Sequence, residues 1–241
     1  MHRRNFIKTT GFAAAGFGVF NTFPGIGEKL VFAKEKEITI SSVSANFERE
    51  PLIRPFGFKG GYMTEIWQTA SQLESNSGIK KVGICTQNVL WSDANVFAAH
   101  SESGGNALMF ALMEHAMQIL KGRKFITPVD LLDSIFDEVF EYGKNITGNP
   151  GLRKTFVLNS LVGIDNAAWL IYSSENNISS FDEMVPVQFR PALSTHHNRV
   201  ASIPLMAYNI PVNEIVAAVE SGYFFMKIKI GQPGTQEDML E

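Results

Sequence analysis

The sequence predicts an α+β domain that is followed by a βαβ unit with parallel strands. Between residues 37 and 86 the chain has three runs with strand character, separated by polar breaks, which is typical of an antiparallel meander. Residues 106–172 contain three segments in which apolar residues recur with the period of a helix. Strands that precede helices indicate an α+β domain. Residues 200–231 then read as strand, helix and strand, which is the pattern of a βαβ unit.

The three predicted strands are separated by a loop and a turn. The first begins in ITISSVSANF (38–47), the second is YMTEIWQTASQLE (62–74) and the third is IKKVGICT (79–86). The residues SNSG (75–78) between the last two are typical of a tight turn. These runs therefore predict a three-stranded antiparallel meander.

Two further segments are predicted to be loops. The stretch EREPLIRPFGFKGG (48–61) has two prolines and three glycines, and these residues favour turns over regular elements. The stretch SDANVFAAHSESGGN (92–106) is rich in serine, glycine and asparagine, so we expect a second loop there.

Three helices are predicted after these strands. Residues 106–121 have a helical period of apolar side chains. Thr127 is in position to cap the next helix, with Pro128 at its first position and Asp130 at its third. A third helix is expected from about residue 152 to about residue 172.

The C-terminal part of the chain predicts two parallel strands joined by a helix. VASIPLMAY (200–208) is a short apolar run, and PVNEIVAAVES (211–221) is a short helix that ends at Gly222. The run FFMKIKIG (224–231) is the second strand. A helical crossover between two strands places them parallel to each other.

Composition excludes several classes of protein. The chain has 241 residues and a formal net charge of −3, without a long basic run, so nothing indicates binding to nucleic acid. No apolar stretch has the length of a membrane span. Its one cysteine, Cys85, excludes an intrachain disulfide.

Residues 1–33 predict an export signal. Arg3 and Arg4 precede a weakly apolar segment at residues 11–20, in the order of a charged region followed by a short apolar region. The paired arginines resemble a twin-arginine (Tat) signal, and Val31-Phe32-Ala33 fits a cleavage site. We therefore expect an exported, periplasmic protein. The alternative is an ordinary amphipathic N-terminal helix.

The final predicted strand carries two lysines. Lys227 and Lys229 are two positions apart, so they share one face of the strand, and Gly231 ends it. In parallel α/β folds the C-terminal ends of the strands carry the chemistry. A lysine beside apolar walls and a second ammonium has a lowered pKa and can accept a proton. The alternative is an edge strand with a solvated lysine face.

A family resemblance favours the catalytic interpretation of these lysines. The segment ESGYFFMKIKIGQPG (220–234) resembles the second barrel strand of the mandelate racemase and muconate lactonizing enzyme branch of the enolase superfamily, which carries a Lys-x-Lys motif. GIDNAAW (163–169) is similar to a helical signature of that branch. The sequence departs from the family pattern in two places. GICTQN (83–88) stands where the family often has Gly-x-Gly-Glu, and Leu170 stands where it often has an aspartate.

The resemblance implies a domain organisation. Residues 37–190 would form the α+β capping domain, which is the three-stranded antiparallel meander plus helices. Residues 191–241 would form the first βαβ unit of a (β/α) TIM-type barrel. A complete barrel domain needs roughly 200 residues or more, so we expect a truncated barrel and a fragment that is inactive alone.

The resemblance also implies a mechanism. Lys229 matches the motif lysine that removes the α-proton of a small carboxylate substrate, and Lys227 matches its electrostatic helper. Mg²⁺ would stabilise the resulting enolate. The family's metal ligands lie on later barrel strands, so none is expected in this chain. A homo-oligomer of the full-length protein is compatible with the resemblance.

Four further residues are candidates for substrate binding. Arg49, Arg54 and Lys59 lie in the first predicted loop, which in this family closes over the barrel mouth and contributes to substrate choice. Tyr208 would lie at the C-terminal end of the first barrel strand. The alternatives are solvated loop charges for the three cations and structural packing for the tyrosine.

Three functions remain open from the sequence. The first is a racemase or epimerase that transfers a proton at one carbon, and the second is an acid-sugar dehydratase of the same superfamily. The third is a non-catalytic, exported binding protein that has retained the capping fold.

Overall fold

The structure is a computed structural model that describes residues 35–195 and 197–230. The predicted export signal at residues 1–33 lies outside the described residues. So do Gly231 and the rest of the predicted barrel unit to residue 241. The predicted boundary between residues 190 and 191 stays a prediction.

The described elements follow the predicted order of strands, helices and a βαβ unit. The strands are β1 (Ile38–Phe58), β2 (Gly61–Ser75), β3 (Lys80–Gln87), β4 (Lys124–Phe125), β5 (Leu205–Met206) and β6 (Lys227–Ile228). The α-helices are α1 (Val89–Ser92), α2 (Ala94–Leu120), α3 (Pro128–Thr147), α4 (Lys154–Glu175), α5 (Phe181–Met184) and α6 (Val212–Glu220). A 3₁₀ helix spans Val187–Leu193.

The first four strands form one antiparallel sheet in the order β3-β2-β1-β4. The predicted meander is therefore confirmed, with β1 pairing β2 and β2 pairing β3. The fourth strand was not predicted, because β4 has only two residues and pairs with the start of β1. Strands β5 and β6 pair in parallel, as expected for the two strands of a βαβ unit.

The predicted first loop is wrong, because β1 continues through it to Phe58. A register irregularity lies between Pro51 and Phe56, and most of β1 pairs only with β2. Proline is tolerated at such a place, where the strand needs no further backbone donor. The hairpin turns at Lys59 and Gly60, whose φ angles of 52° and 76° match a type I′ turn.

The predicted second loop is also wrong, since α1 and α2 occupy most of it. Asn88 caps α1 by accepting from the Leu90 backbone N–H at 2.8 Å, and Asp93 caps α2. The polar and glycine residues lie around a kink in α2, where Ser101 has φ 67° and ψ 175°. Glu102, just after the kink, accepts a hydrogen bond from the Thr64 backbone N–H of β2 at 3.0 Å. That bond supports β2 close to the irregularity of β1.

The capping residues predicted for the helix α3 are confirmed. The Thr127 hydroxyl accepts from the Asp130 backbone N–H at 3.2 Å, and Pro128 is the first residue of the helix. Gly148 ends the helix in a left-handed conformation, at φ 61°. The third predicted helix corresponds to α4.

Helix α4 lies unusually close to strand β3. A Cβ atom added to Gly83 of β3 would be 1.9 Å from the backbone oxygen of Gly163 in α4. Asn166 donates its side-chain N–H to the Ile84 backbone oxygen at 2.9 Å. The close approach therefore depends on glycine at position 83, and α4 covers part of the outer edge of the sheet.

The core lies between the sheet and helices α2, α3 and α4. Its fully buried large side chains include Leu73, Met109, Leu112, Met113, Leu120, Leu131, Ile135, Phe156 and Ile164. Within the described residues, we find no helix that combines the length and the apolar character of a membrane span.

Replacing Gly83 with alanine should disrupt the packing of α4 on β3. The added methyl group has no space, so we expect the free energy of unfolding to fall by about 3 kcal/mol. Gly78→Ala is the control, because a Cβ atom there meets no neighbour and only the left-handed backbone, at φ +88°, opposes it. Urea denaturation of the two variants measures how much free energy of unfolding each substitution removes. Equal losses of stability would contradict the packing argument.

Candidate functional site

The two motif lysines lie on the short parallel strand β6. The Lys227 backbone N–H donates to the Pro204 oxygen at 3.0 Å, and the Lys229 N–H donates to the Met206 oxygen at 2.9 Å. Lys227 is exposed and Lys229 is half-buried. The parallel ladder with β5 therefore fixes the backbone that carries both side chains.

The turn of the β1–β2 hairpin lies beside the end of this strand. The Tyr208 hydroxyl accepts a hydrogen bond from the Lys59 backbone N–H at 3.1 Å and donates one to the Ile230 backbone oxygen at 3.2 Å. One phenol thus connects the hairpin turn to the residue that follows Lys229. Tyr208 therefore positions backbone segments of the site through its hydroxyl.

Further contacts hold the hairpin against the segment that follows β5. Asn209 donates its side-chain N–H to the Pro55 backbone oxygen at 2.8 Å. Gly57 packs beside two aromatic rings, and an added Cβ would be 2.6 Å from Tyr62 and 3.1 Å from Tyr208. Glycine at position 57 consequently allows the tyrosine to lie across the hairpin.

A small apolar cluster supports the same region. Its buried members are Met63 and Leu90, and it includes the partly buried side chains of Leu52, Phe56, Trp91, Ala94, Phe97 and Tyr208. These residues come from both arms of the hairpin, from α1 and α2, and from the segment after β5. Burial of their apolar surface favours the observed position of the hairpin.

The two arginines are held in ion pairs on the hairpin. Arg54 binds Glu214 of α6 with two hydrogen bonds of 2.8 and 2.6 Å. Hydrogen bonding between the two side chains raises the pKa of Arg54 and lowers the pKa of Glu214. Arg49 pairs instead with Glu65 on the neighbouring strand, at 2.7 Å. Arg54 therefore joins the hairpin to the βαβ unit, whereas Arg49 joins the two strands of the hairpin and also donates to the Ser103 hydroxyl of α2 at 3.4 Å.

Lys59 lies in a positively charged environment. Its ammonium donates to the Trp91 backbone oxygen at 2.8 Å. Partial burial, followed by repulsion from Arg153 and Lys229, lowers the pKa of Lys59, while Asp93 opposes this effect. The Asp93 carboxylate also accepts from the Arg153 backbone N–H at 2.9 Å. The charges of Lys59 and Lys229 are therefore near enough to interact.

The structure thus groups some of the predicted residues and separates others. It brings Lys59, Tyr208 and Lys229 together, with Lys227 on the same strand, and it places Arg49 in a pair of its own. Sequence reasoning missed Arg153. No motif marks this residue, because only the fold places the start of α4 near the hairpin turn. The catalytic and substrate-binding roles of the six candidates stay predictions.

The part of the chain that the structure describes does not supply a metal site. Within residues 35–195 and 197–230, no group of three or more His, Cys, Asp or Glu side chains could hold a metal ion. The described residues consequently do not fit Mg²⁺.

Removing the Tyr208 hydroxyl should loosen the hairpin turn. In Tyr208→Phe we expect the Lys59 amide to exchange with deuterium roughly fivefold faster, since one such hydrogen bond contributes about 1 kcal/mol. Tyr62→Phe is the matched control, because this tyrosine packs on the same hairpin. Amide exchange followed by NMR measures the difference. Unchanged protection of Lys59 in Tyr208→Phe would show that the phenol does not hold the turn.

Comparison with known proteins finds similar solved structures but no matching family model or curated protein. No protein-family model matches this sequence, and no curated protein matches it. The solved structures that resemble it include L-talarate/galactarate dehydratase from Salmonella typhimurium LT2, liganded with Mg and L-lyxarohydroxamate. That structure has a TM-score of 0.53 and 17% sequence identity, and the match covers 92% of this chain and 50% of the dehydratase.

Two other similar structures belong to enzymes of different activity. A dipeptide epimerase from Enterococcus faecalis V583, complexed with Mg and L-Leu-L-Tyr, has a TM-score of 0.51 at 15% identity over 83% of this chain and 48% of its own. An enolase from the alpha-proteobacterium bal199 with bound Mg has a TM-score of 0.51 at 14% identity. That match covers 84% of this chain and 49% of the enolase. This chain spans about half the length of these proteins, and it shares the fold of the part that it matches.

Proposed function

We propose that this chain is part of an enolase-superfamily enzyme in which Lys229 removes the α-proton of a small carboxylate substrate. The observation that carries the proposal is the position of the Lys-x-Lys motif. It lies on a parallel strand whose C-terminal end is tied to the hairpin turn through Tyr208. The shared fold supports the proposal. In this interpretation β5, α6 and β6 begin a barrel whose mouth faces the hairpin.

The proposed step is a proton transfer from carbon to nitrogen. The neutral amine of Lys229 takes the α-proton and becomes an ammonium, while the electron pair of the broken C–H bond moves into the carboxylate to form an enediolate. Lys227, on the same strand, adds positive charge near the new anion. Lys59 adds a third cation from the hairpin side, where burial and then repulsion from Arg153 and Lys229 lower its own pKa.

Mg²⁺ is the proposed cofactor of the whole protein. Several similar structures contain Mg, which supports the proposal by resemblance. The described residues offer no group of three or more His, Cys, Asp or Glu side chains that could hold the ion. When bound, a divalent cation would polarise the substrate carboxylate and make its α-proton more acidic.

Two reactions can follow this proton transfer. Return of a proton to the same carbon gives racemisation or epimerisation, and the similar dipeptide epimerase favours this outcome. Loss of a β-hydroxyl group gives dehydration, and the similar L-talarate/galactarate dehydratases favour that outcome. We propose the racemase or epimerase reaction first, because the Lys-x-Lys form of the motif favours proton transfer at one carbon. Dehydration of an acid sugar is the alternative.

Replacing Lys229 tests the proposed base. In the intact protein, Lys229→Ala should reduce deuterium incorporation at the α-carbon of a turned-over carboxylate in D₂O by at least about a hundredfold, because general-base catalysis is lost. Lys229→Arg should not restore exchange, since a guanidinium stays protonated. Lys81→Ala on β3 is the control. If Lys229→Ala exchanges the α-proton as fast as wild type, the motif is an edge-strand feature.

Export by the twin-arginine pathway is a separate proposal that rests on residues 1–33. Changing both Arg3 and Arg4 to lysine should retain the uncleaved precursor inside the cell, because the pathway reads the arginine pair. Fractionation and N-terminal sequencing follow the product, and changing Lys34 and Lys36 to arginine is the control. A processed species that still reaches the periplasm in the double variant would refute the signal.

A further inference from the structure

A second concave site lies on elements that carry none of the motif lysines. It is a groove of about 710 Å³ between helix α4, the outer edge of β3 and the segment from Phe181 to Leu193. Volumes of this size are typical of pockets for small organic ligands. We name this site the α4 groove.

The walls of the α4 groove are mostly apolar and aromatic. They include Ile84 of β3, Trp169 and Leu170 of α4, and Phe181, Met184 and Phe189 of the following segment. Several of these side chains are strongly exposed, with Phe181 at 66% and Ile84 at 62%. A contiguous exposed apolar surface of this kind marks an interaction site.

The α4 groove contains two side-chain hydrogen-bond acceptors, the Asp165 carboxyl group and the Asn166 amide oxygen. Asp165 is half-buried there, and burial raises the pKa of its carboxyl group, opposed by a hydrogen bond from Trp169. Among the described residues no ion pair involves Asp165. Asn166 also lines the groove, and its side-chain N–H is used by the Ile84 backbone oxygen, so its amide oxygen is its remaining acceptor.

We propose that the α4 groove binds an organic ammonium ion with an apolar body. An ammonium group supplies both the positive charge and the N–H donors that the Asp165 carboxylate and the Asn166 oxygen require. Trp169 adds an aromatic face, which attracts cations electrostatically. The apolar part of the ligand would cover the exposed walls and remove them from water.

Other ligand classes fit the α4 groove less well. A carboxylate or phosphate would meet the like charge of Asp165 without a cation in the lining to offset it. A neutral apolar molecule would remove the carboxylate from water without supplying an opposite charge, which costs free energy. The concave shape also favours a small molecule over the flat surface of a second protein.

Three probes of similar size test this proposal on the full chain. We expect 2-phenylethylammonium to bind at least about tenfold more tightly than 2-phenylethanol, measured by isothermal titration calorimetry at neutral pH. The anion 3-phenylpropionate should bind more weakly than either. Asp165→Asn should remove the preference for the cation, whereas Asp137→Asn, which deletes the same charge from the exposed face of α3, should preserve it. The experiment needs no catalytic activity, so its result is independent of the proposed function.

Several results would overturn the proposal. Equal affinities for the cation and the alcohol, no saturable binding of the cation, or an unchanged preference in Asp165→Asn would each refute it. Phe181→Ser provides a second variant: weaker cation binding without a change in sedimentation supports a ligand groove. Dissociation of an oligomer in Phe181→Ser would show that a second copy of the chain occupies the groove.

Discussion

The close contact between Gly83 and Gly163 is the constraint on which the remaining arrangement depends. It allows α4 to lie directly on β3, at a separation that any larger side chain at position 83 would prevent. Asn159 of α4 then accepts hydrogen bonds from the Trp91 indole at 2.7 Å and the Ser92 hydroxyl at 2.8 Å. These bonds hold α1, in which the Trp91 backbone oxygen accepts a hydrogen bond from the Lys59 ammonium. The position of α4 on the sheet therefore helps to fix the position of the hairpin turn.

The candidate site is consequently built from parts that are distant in the chain. The hairpin contributes Lys59, the segment after β5 contributes Tyr208, and β6 contributes the motif lysines. The start of α4 contributes Arg153, whose charge acts on Lys59. The same helix lines the groove that contains Asp165. Helix α4 therefore connects the proposed catalytic region with a second surface on the protein.

Sequence patterns predicted the elements whose signals are local. The cap formed by Thr127 and Pro128, the turn before β3 and the parallel pairing of β6 follow from short-range preferences, and the structure confirms them. The extension of β1 was missed because prolines and glycines usually favour loops, whereas here the partner strand β2 and Glu102 stabilise the extended backbone. The neighbours of Lys59 could not be predicted, since only tertiary packing brings Arg153 to it.

Two of the contacts between the hairpin and the βαβ unit differ in their response to ionic strength. Arg54 and Glu214 attract each other as exposed charges, and dissolved salt screens such attraction over about 8 Å at physiological concentration. The Tyr208 hydroxyl bonds two uncharged backbone groups, so screening leaves it nearly unaffected. In concentrated salt the tyrosine therefore contributes more than the ion pair does, and in dilute buffer the ion pair adds to it. The surrounding solution thus sets how firmly the hairpin is anchored.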